Sequence, residues 1–131
     1  MTTVQRLQTY ITAELGDASL YRELAKTAPN ENDRQLLLEF ADDEQSHATE
    51  FQHIYRTMTG RSYNPYVPQP ELKGTFREIL RDRVLDESGD FRKYGLQYIQ
   101  TVRNDVLKDA YYRARTDENV HALRLLYMLS E

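Results

Sequence analysis

Six residues carry the chemistry of this sequence, and they come in a repeated pattern. Asp-Glu-x-x-His occurs at Asp43, Glu44 and His47, and again at Asp117, Glu118 and His121. Residues three apart on a helix share one face, one turn from each other, so the Glu and His of each motif can ligate one ion. A single Glu-x-x-His is common by chance. Here, however, Glu14 precedes the first motif by 30 residues and Glu87 precedes the second by 31. Each upstream Glu opens the pattern Glu-x-Gly-Asp-x-x-x-Tyr, as ELGDASLY ending at Tyr21 and ESGDFRKY ending at Tyr94. The two halves are an internal repeat. One Glu from each of two helices, with Glu-x-x-His from each of two others, is the ligand set of a carboxylate-bridged dinuclear metal site in a helix bundle. Four carboxylates in a low-dielectric core repel and lose hydration, and two divalent ions offset their charge. Oxygen and imidazole donors without sulfur suit iron first, with manganese or a mixed pair as the alternative.

Four helices must position these groups. Apolar residues step by three and four through Val4, Leu7, Ile11, Ala18, Tyr21 and Ala25, and Glu14 falls on the same stripe. A second stripe runs from Leu37 to Met58 through Glu44 and His47, and a third from Phe76 to Thr101 through Glu87 and Tyr94. A fourth runs from Leu107 to Met128 through Glu118 and His121. All six candidate ligands therefore sit where a core residue belongs, and buried carboxylates are rare unless paired or metal-bound. The spacing predicts helices over 3–28, 31–58, 75–102 and 105–130. Residues 60–74 hold three of the four prolines and two of the five glycines, so they read as a crossover long enough to span a bundle. The expected fold is all-α: one domain, 1–131, an antiparallel four-helix bundle with its long connection between the second and third helices.

Composition narrows the function classes. The 131 residues include 17 Lys and Arg against 21 Asp and Glu, with a formal net charge of −4 and no basic run, which argues against nucleic acid. There is no cysteine, which removes disulfides, thiolate catalysis and cysteine-bound zinc or iron–sulfur centres. No secretory leader or membrane-length apolar run is evident, so the expectation is a soluble, cytoplasmic protein without a membrane partner.

With these motifs in place, the chain resembles the ferritin-like di-iron superfamily, and within it the rubrerythrin-type erythrin domains. The resemblance implies that Glu14 and Glu87 are terminal carboxylate ligands, that Glu44 and Glu118 bridge the metals, and that His47 and His121 each cap one. It implies that Tyr21 and Tyr94 hydrogen-bond ligand carboxylates. Rubrerythrins carry a further Glu three residues after the third-helix ligand, and here that position is Asp90. Asp90 is therefore a candidate extra or supporting ligand, and its repeat mate Asp17 reads as a solvated residue. Asp43 and Asp117 are placed to accept from the histidine of a neighbouring helix. His53 lies about 240° around the helix from the first motif and reads as surface. Tyr10, Tyr98 and Tyr111 read as packing, and Tyr63 and Tyr66 as clamps for the crossover.

The leading functional expectation is an oxidoreductase that reduces peroxide or dioxygen at two metal ions, iron foremost. It would be supplied by an external electron-donor protein and built as a homodimer. The alternatives are a non-catalytic iron or manganese handling protein, and a bundle that keeps the metals as a structural staple.

Overall fold

A computed structural model describes all of residues 1–131. It contains four helices: α1 (Thr3–Ala25), α2 (Glu31–Thr59), α3 (Phe76–Gln100) and α4 (Asp105–Leu129). Each begins at a side-chain cap. Thr2 and Thr75 close capping boxes with Gln5 and Glu78, while Asn30 and Asn104 accept from the backbone N–H of Asp33 and Leu107. These caps satisfy amides that have no partner within the helix. Gly60 ends α2 at φ 73°, a left-handed conformation that costs glycine little.

Three helices stop short of their expected ends, α4 by a single residue and α1 and α3 by more. The stripe of α1 continues to Ala28, but after Ala25 the chain closes with tight bonds from the N–H groups of Lys26, Thr27 and Ala28 to carbonyls three residues back. Pro29 disfavours helical geometry in the residue before it and has no N–H to donate, which explains the early stop. At α3, Thr101 leaves the helix in an extended conformation and its hydroxyl takes the Gln97 carbonyl at 2.6 Å. The four-residue reversal into α4 then passes through Arg103 at φ 60°.

Backbones approach closely between α1 and α2, between α3 and α4, and over a shorter length between α2 and α4. The two helical hairpins thus meet mainly through α2 and α4, and the gap between α1 and α3 is bridged by long side chains. The crossover packs on the bundle through Tyr63, whose ring lies 5.5 Å from that of Tyr55 and whose hydroxyl is 3.3 Å from Thr12 Oγ1. Gln52 also donates to the Tyr63 carbonyl at 3.1 Å. Tyr66 is 86% exposed and clamps nothing, contrary to expectation: it stands between Pro65 and Pro68 where the extended chain turns it outward. Met58, expected on the core stripe of α2, is likewise exposed on the last turn of that helix.

The core is divided. One apolar cluster, around Leu7, Ile11, Phe51, Tyr94, Leu107 and Tyr111, fills one end of the bundle. A second, around Tyr21, Leu24, Leu37, Phe40, Leu80 and Leu125, fills the other. Apart from Asp33 in the first turn of α2, the buried polar residues lie in the layer between them. No helix is long and apolar enough to cross a membrane.

Candidate metal centre

All four helices contribute to the polar layer. Glu14, Glu44, Glu87 and Glu118 are each no more than 1% exposed, and His47 and His121 are 4% and 1% exposed. Their facing atoms form two overlapping groups, each with all donors within 4.8 Å of one another. One comprises Glu14, Glu44, His47 and Glu118, and the other Glu44, Glu87, Glu118 and His121. Glu44 and Glu118 belong to both. His47 Nδ1 lies 3.4 Å from Glu14 Oε2 and 3.6 Å from Glu44 Oε1. His121 Nδ1 lies 3.3 Å from Glu44 Oε1 and 3.6 Å from Glu87 Oε2.

The outward-facing atoms are tied down, and the ties run across helices. Tyr94 donates to Glu14 Oε1 and Tyr21 to Glu87 Oε1, both at 2.5 Å, so each tyrosine serves the carboxylate of the other half and not the one seven residues before it. His47 Nε2 meets Asp117 Oδ2 at 2.7 Å, and His121 Nε2 meets Asp43 Oδ2 at 2.8 Å. Each imidazole is thereby held by one nitrogen with the other turned inward. Phe40 packs against the His121 ring at 4.4 Å between centroids.

What remains is a set of inward atoms without partners. Glu14 Oε2, both oxygens of Glu44 and of Glu118, Glu87 Oε2, and Nδ1 of both histidines are buried with no hydrogen bond. These make eight of the eleven such atoms in the chain. Buried polar atoms are nearly always satisfied, so eight orphans converging on one layer call for a common ligand. Carboxylate oxygens and imidazole nitrogens in these numbers fit two divalent cations.

The electrostatics agree. Burial, then repulsion from Glu14, pushes Glu44 and Glu118 well above the usual carboxylate range. Burial opposes charge on His47, but contacts with Asp117 and Glu14 outweigh it and raise the group to about 10. Contacts with Asp43 and Glu44 likewise overcome burial and raise His121 to about 11. Without metal, the layer holds protons where cations belong. Glu87 goes the other way: burial is outweighed by contacts with His121 and Glu118 and by the charges of His121 and Arg83, and it falls to about 2.

Arg83 was not singled out by its sequence position. It is 6% exposed, and its Nε donates to the Tyr21 hydroxyl at 3.1 Å. Nη2 lies 3.3 Å from both Glu87 Oε1 and Asp17 Oδ2. Asp17, read as solvated, is therefore half of a largely buried ion pair, and burial raises its carboxyl to about 7 against the pull of Arg83. Asp90 joins neither ligand group and pairs with Lys93 at 3.1 Å. His53 is exposed.

An all-α bundle whose central layer offers four carboxylates and two imidazoles has the donor set of a dinuclear carboxylate site. The rubrerythrin family model matches residues 6–81, more than half of the sequence, and the chain belongs to that family. The matched stretch includes Glu14, Glu44 and His47, while Glu87, Glu118 and His121 lie beyond it and join the site through the repeat and the fold. The chain is also similar to the uncharacterized protein YhjR of Bacillus subtilis (strain 168), with 30% identity over 128 residues, covering 98% of this chain and 87% of that protein. No solved structure matches the chain significantly.

Proposed function

We propose that the protein binds two metal ions, iron foremost, and uses them to reduce a small oxidant, peroxide or dioxygen. The observation that supports this most strongly is the set of eight unpartnered donor atoms in the central layer. In this reading Glu44 and Glu118, shared by both groups, would hold both metals, while Glu14 with His47 and Glu87 with His121 would complete one position each. Bound metal ions supply Lewis acidity and, if redox-active, electrons for the oxidant.

The chain's own residues do the rest. Asp117 and Asp43 accept the Nε2–H of His47 and His121, which leaves each Nδ1 lone pair for a metal. Tyr94 and Tyr21 hold one oxygen of Glu14 and Glu87 and leave the other to ligate. Neither oxygen of Glu44 or Glu118 is committed to a protein hydrogen bond, so both oxygens of each carboxylate would be available to bound metal. The aromatic rings of Tyr10, Tyr94, Phe51 and Phe40 keep bulk water from the layer and restrict the substrate to a small molecule. The reductant is taken to be a separate protein, and the working assembly a homodimer.

The test is anaerobic loading with Fe(II), followed by peroxide or oxygen and steady-state turnover with an added chemical reductant. The reading expects catalytic consumption of one oxidant that is lost in Glu118→Ala. Two bound metals with a single stoichiometric reaction and no turnover would favour metal handling. Two bound metals with no reaction at all would favour the structural staple.

A further inference from the structure

We propose that Arg83 makes the two metal positions unequal, so that the position framed by Glu14 and His47 binds a divalent cation more tightly than the one framed by Glu87 and His121. The inference rests on the dinuclear reading above and adds an order to it. The repeat gives each position the same parts: a terminal Glu tied by a tyrosine, a His tied by an aspartate, and the shared Glu44 and Glu118. The halves differ four residues before the terminal Glu, where the second has Arg83 and the first has Tyr10.

The difference falls directly on the ligand. Glu14 Oε1 takes one neutral donor, the Tyr94 hydroxyl. Glu87 Oε1 takes the Tyr21 hydroxyl and also the Arg83 guanidinium at 3.3 Å, and the same guanidinium donates to Tyr21 at 3.1 Å. Near Glu14 the corresponding cation is Lys93, but its ammonium lies over the Tyr10 and Tyr94 rings at 4.7 Å and pairs with Asp90. It makes no bond to Glu14. Asp17 beside Arg83 and Asp90 beside Lys93 are repeat mates, and Arg83 has one further acidic partner, Asp86 at 3.1 Å, which is mostly exposed and so better screened, where the first half has Ala13. What remains is a guanidinium bonded to one terminal ligand only. It draws on the charge that Glu87 can offer a metal, and it repels a second cation across a buried, poorly screened distance.

The test is titration of the metal-free protein with Mn(II), with free Mn(II) read by electron paramagnetic resonance and heat by calorimetry. Two steps separated by about ten-fold or more are expected, the scale on which contacts to a ligand tune metal affinity. His121→Ala should remove the weaker step and keep the tighter, and His47→Ala should remove the tighter. Arg83→Met should tighten the weaker step and narrow the ratio, whereas a merely structural Arg83 would weaken both steps together. Arg83→Met/Asp17→Asn serves as the second variant, because it also removes the charge of Asp17, the more buried of the two aspartates that Arg83 pairs with; the other, Asp86, is mostly exposed. Equal affinities in the unaltered protein, loss of the tighter step in His121→Ala, or a ratio unchanged in both Arg83 variants would overturn the proposal. If the Arg83 variants do not fold, the two histidine variants decide alone. Absence of any Mn(II) or Fe(II) binding would overturn the dinuclear reading itself, and this inference with it.

Discussion

At the scale of single residues, the layer separates groups that face the metals from groups that hold them. Asp90 is spent on Lys93 and lies in neither ligand group, whereas Glu87 has one oxygen free and aimed inward. Asp90→Ala is therefore expected to retain both metals and most peroxide turnover, and Glu87→Ala to lose a metal. Metal counting and turnover on the two variants side by side check this, and Asp90→Ala with two metals but no turnover would make Asp90 a working group. Tyr94→Phe removes only the hydroxyl that fixes Glu14, and is expected to weaken metal binding by about ten-fold with the fold intact. The six inward residues were legible in the sequence because the repeat wrote the same unusual chemistry twice on core phases. The crossed ties of Tyr21 to Glu87 and Tyr94 to Glu14 were not, since local spacing says nothing of which helices become neighbours. Arg83 was missed for the same reason. An arginine beside a helix stripe is ordinarily solvated, and the groups that bury this one, Asp17 and Tyr21, lie on another helix.

At the scale of elements, capping decides where the helices begin, and those starts set the level at which the four polar positions meet. Asn30 and Asn104 show themselves as caps only in the structure, whereas the helix interiors are readable from their stripes and the crossover from its prolines and glycines. The ends of α1 and α3 were less so, because apolar periodicity runs on past the point where Pro29, or the turn at Thr101–Asn104, has already redirected the backbone. Gly60 at φ 73° has open space where a Cβ would sit, so Gly60→Ala meets backbone strain and no clash. It is expected to cost about 1 kcal/mol, measured by denaturant unfolding. A loss near zero would mean that the α2 terminus relaxes without consequence for the crossover.

At the scale of the whole molecule, the fold keeps two apolar clusters apart with a layer that is costly without cations. In the metal-free protein Glu44 and Glu118 titrate well above the ordinary 4.5, and the histidines at about 10 and 11 against an ordinary 6.5. Groups whose folded values are raised stabilise the fold below their unfolded values and lose that contribution as pH rises toward the folded ones. Both kinds act in the same direction. The metal-free protein is thus expected to lose stability steadily from about pH 5 toward pH 10, and the metal-loaded protein to hold a flatter profile. Thermal melts across that range with and without chelator check it, and superimposable profiles would mean that the layer is stable without cations. The central claim is that this layer holds a pair of metal ions, and metal content measures it most directly. After anaerobic loading with Fe(II) and removal of unbound iron, the account predicts two irons per chain, and a loss of iron in Glu44→Ala, which removes a carboxylate common to both positions. One iron or none per chain, or a content that Glu44→Ala leaves unchanged, would contradict it.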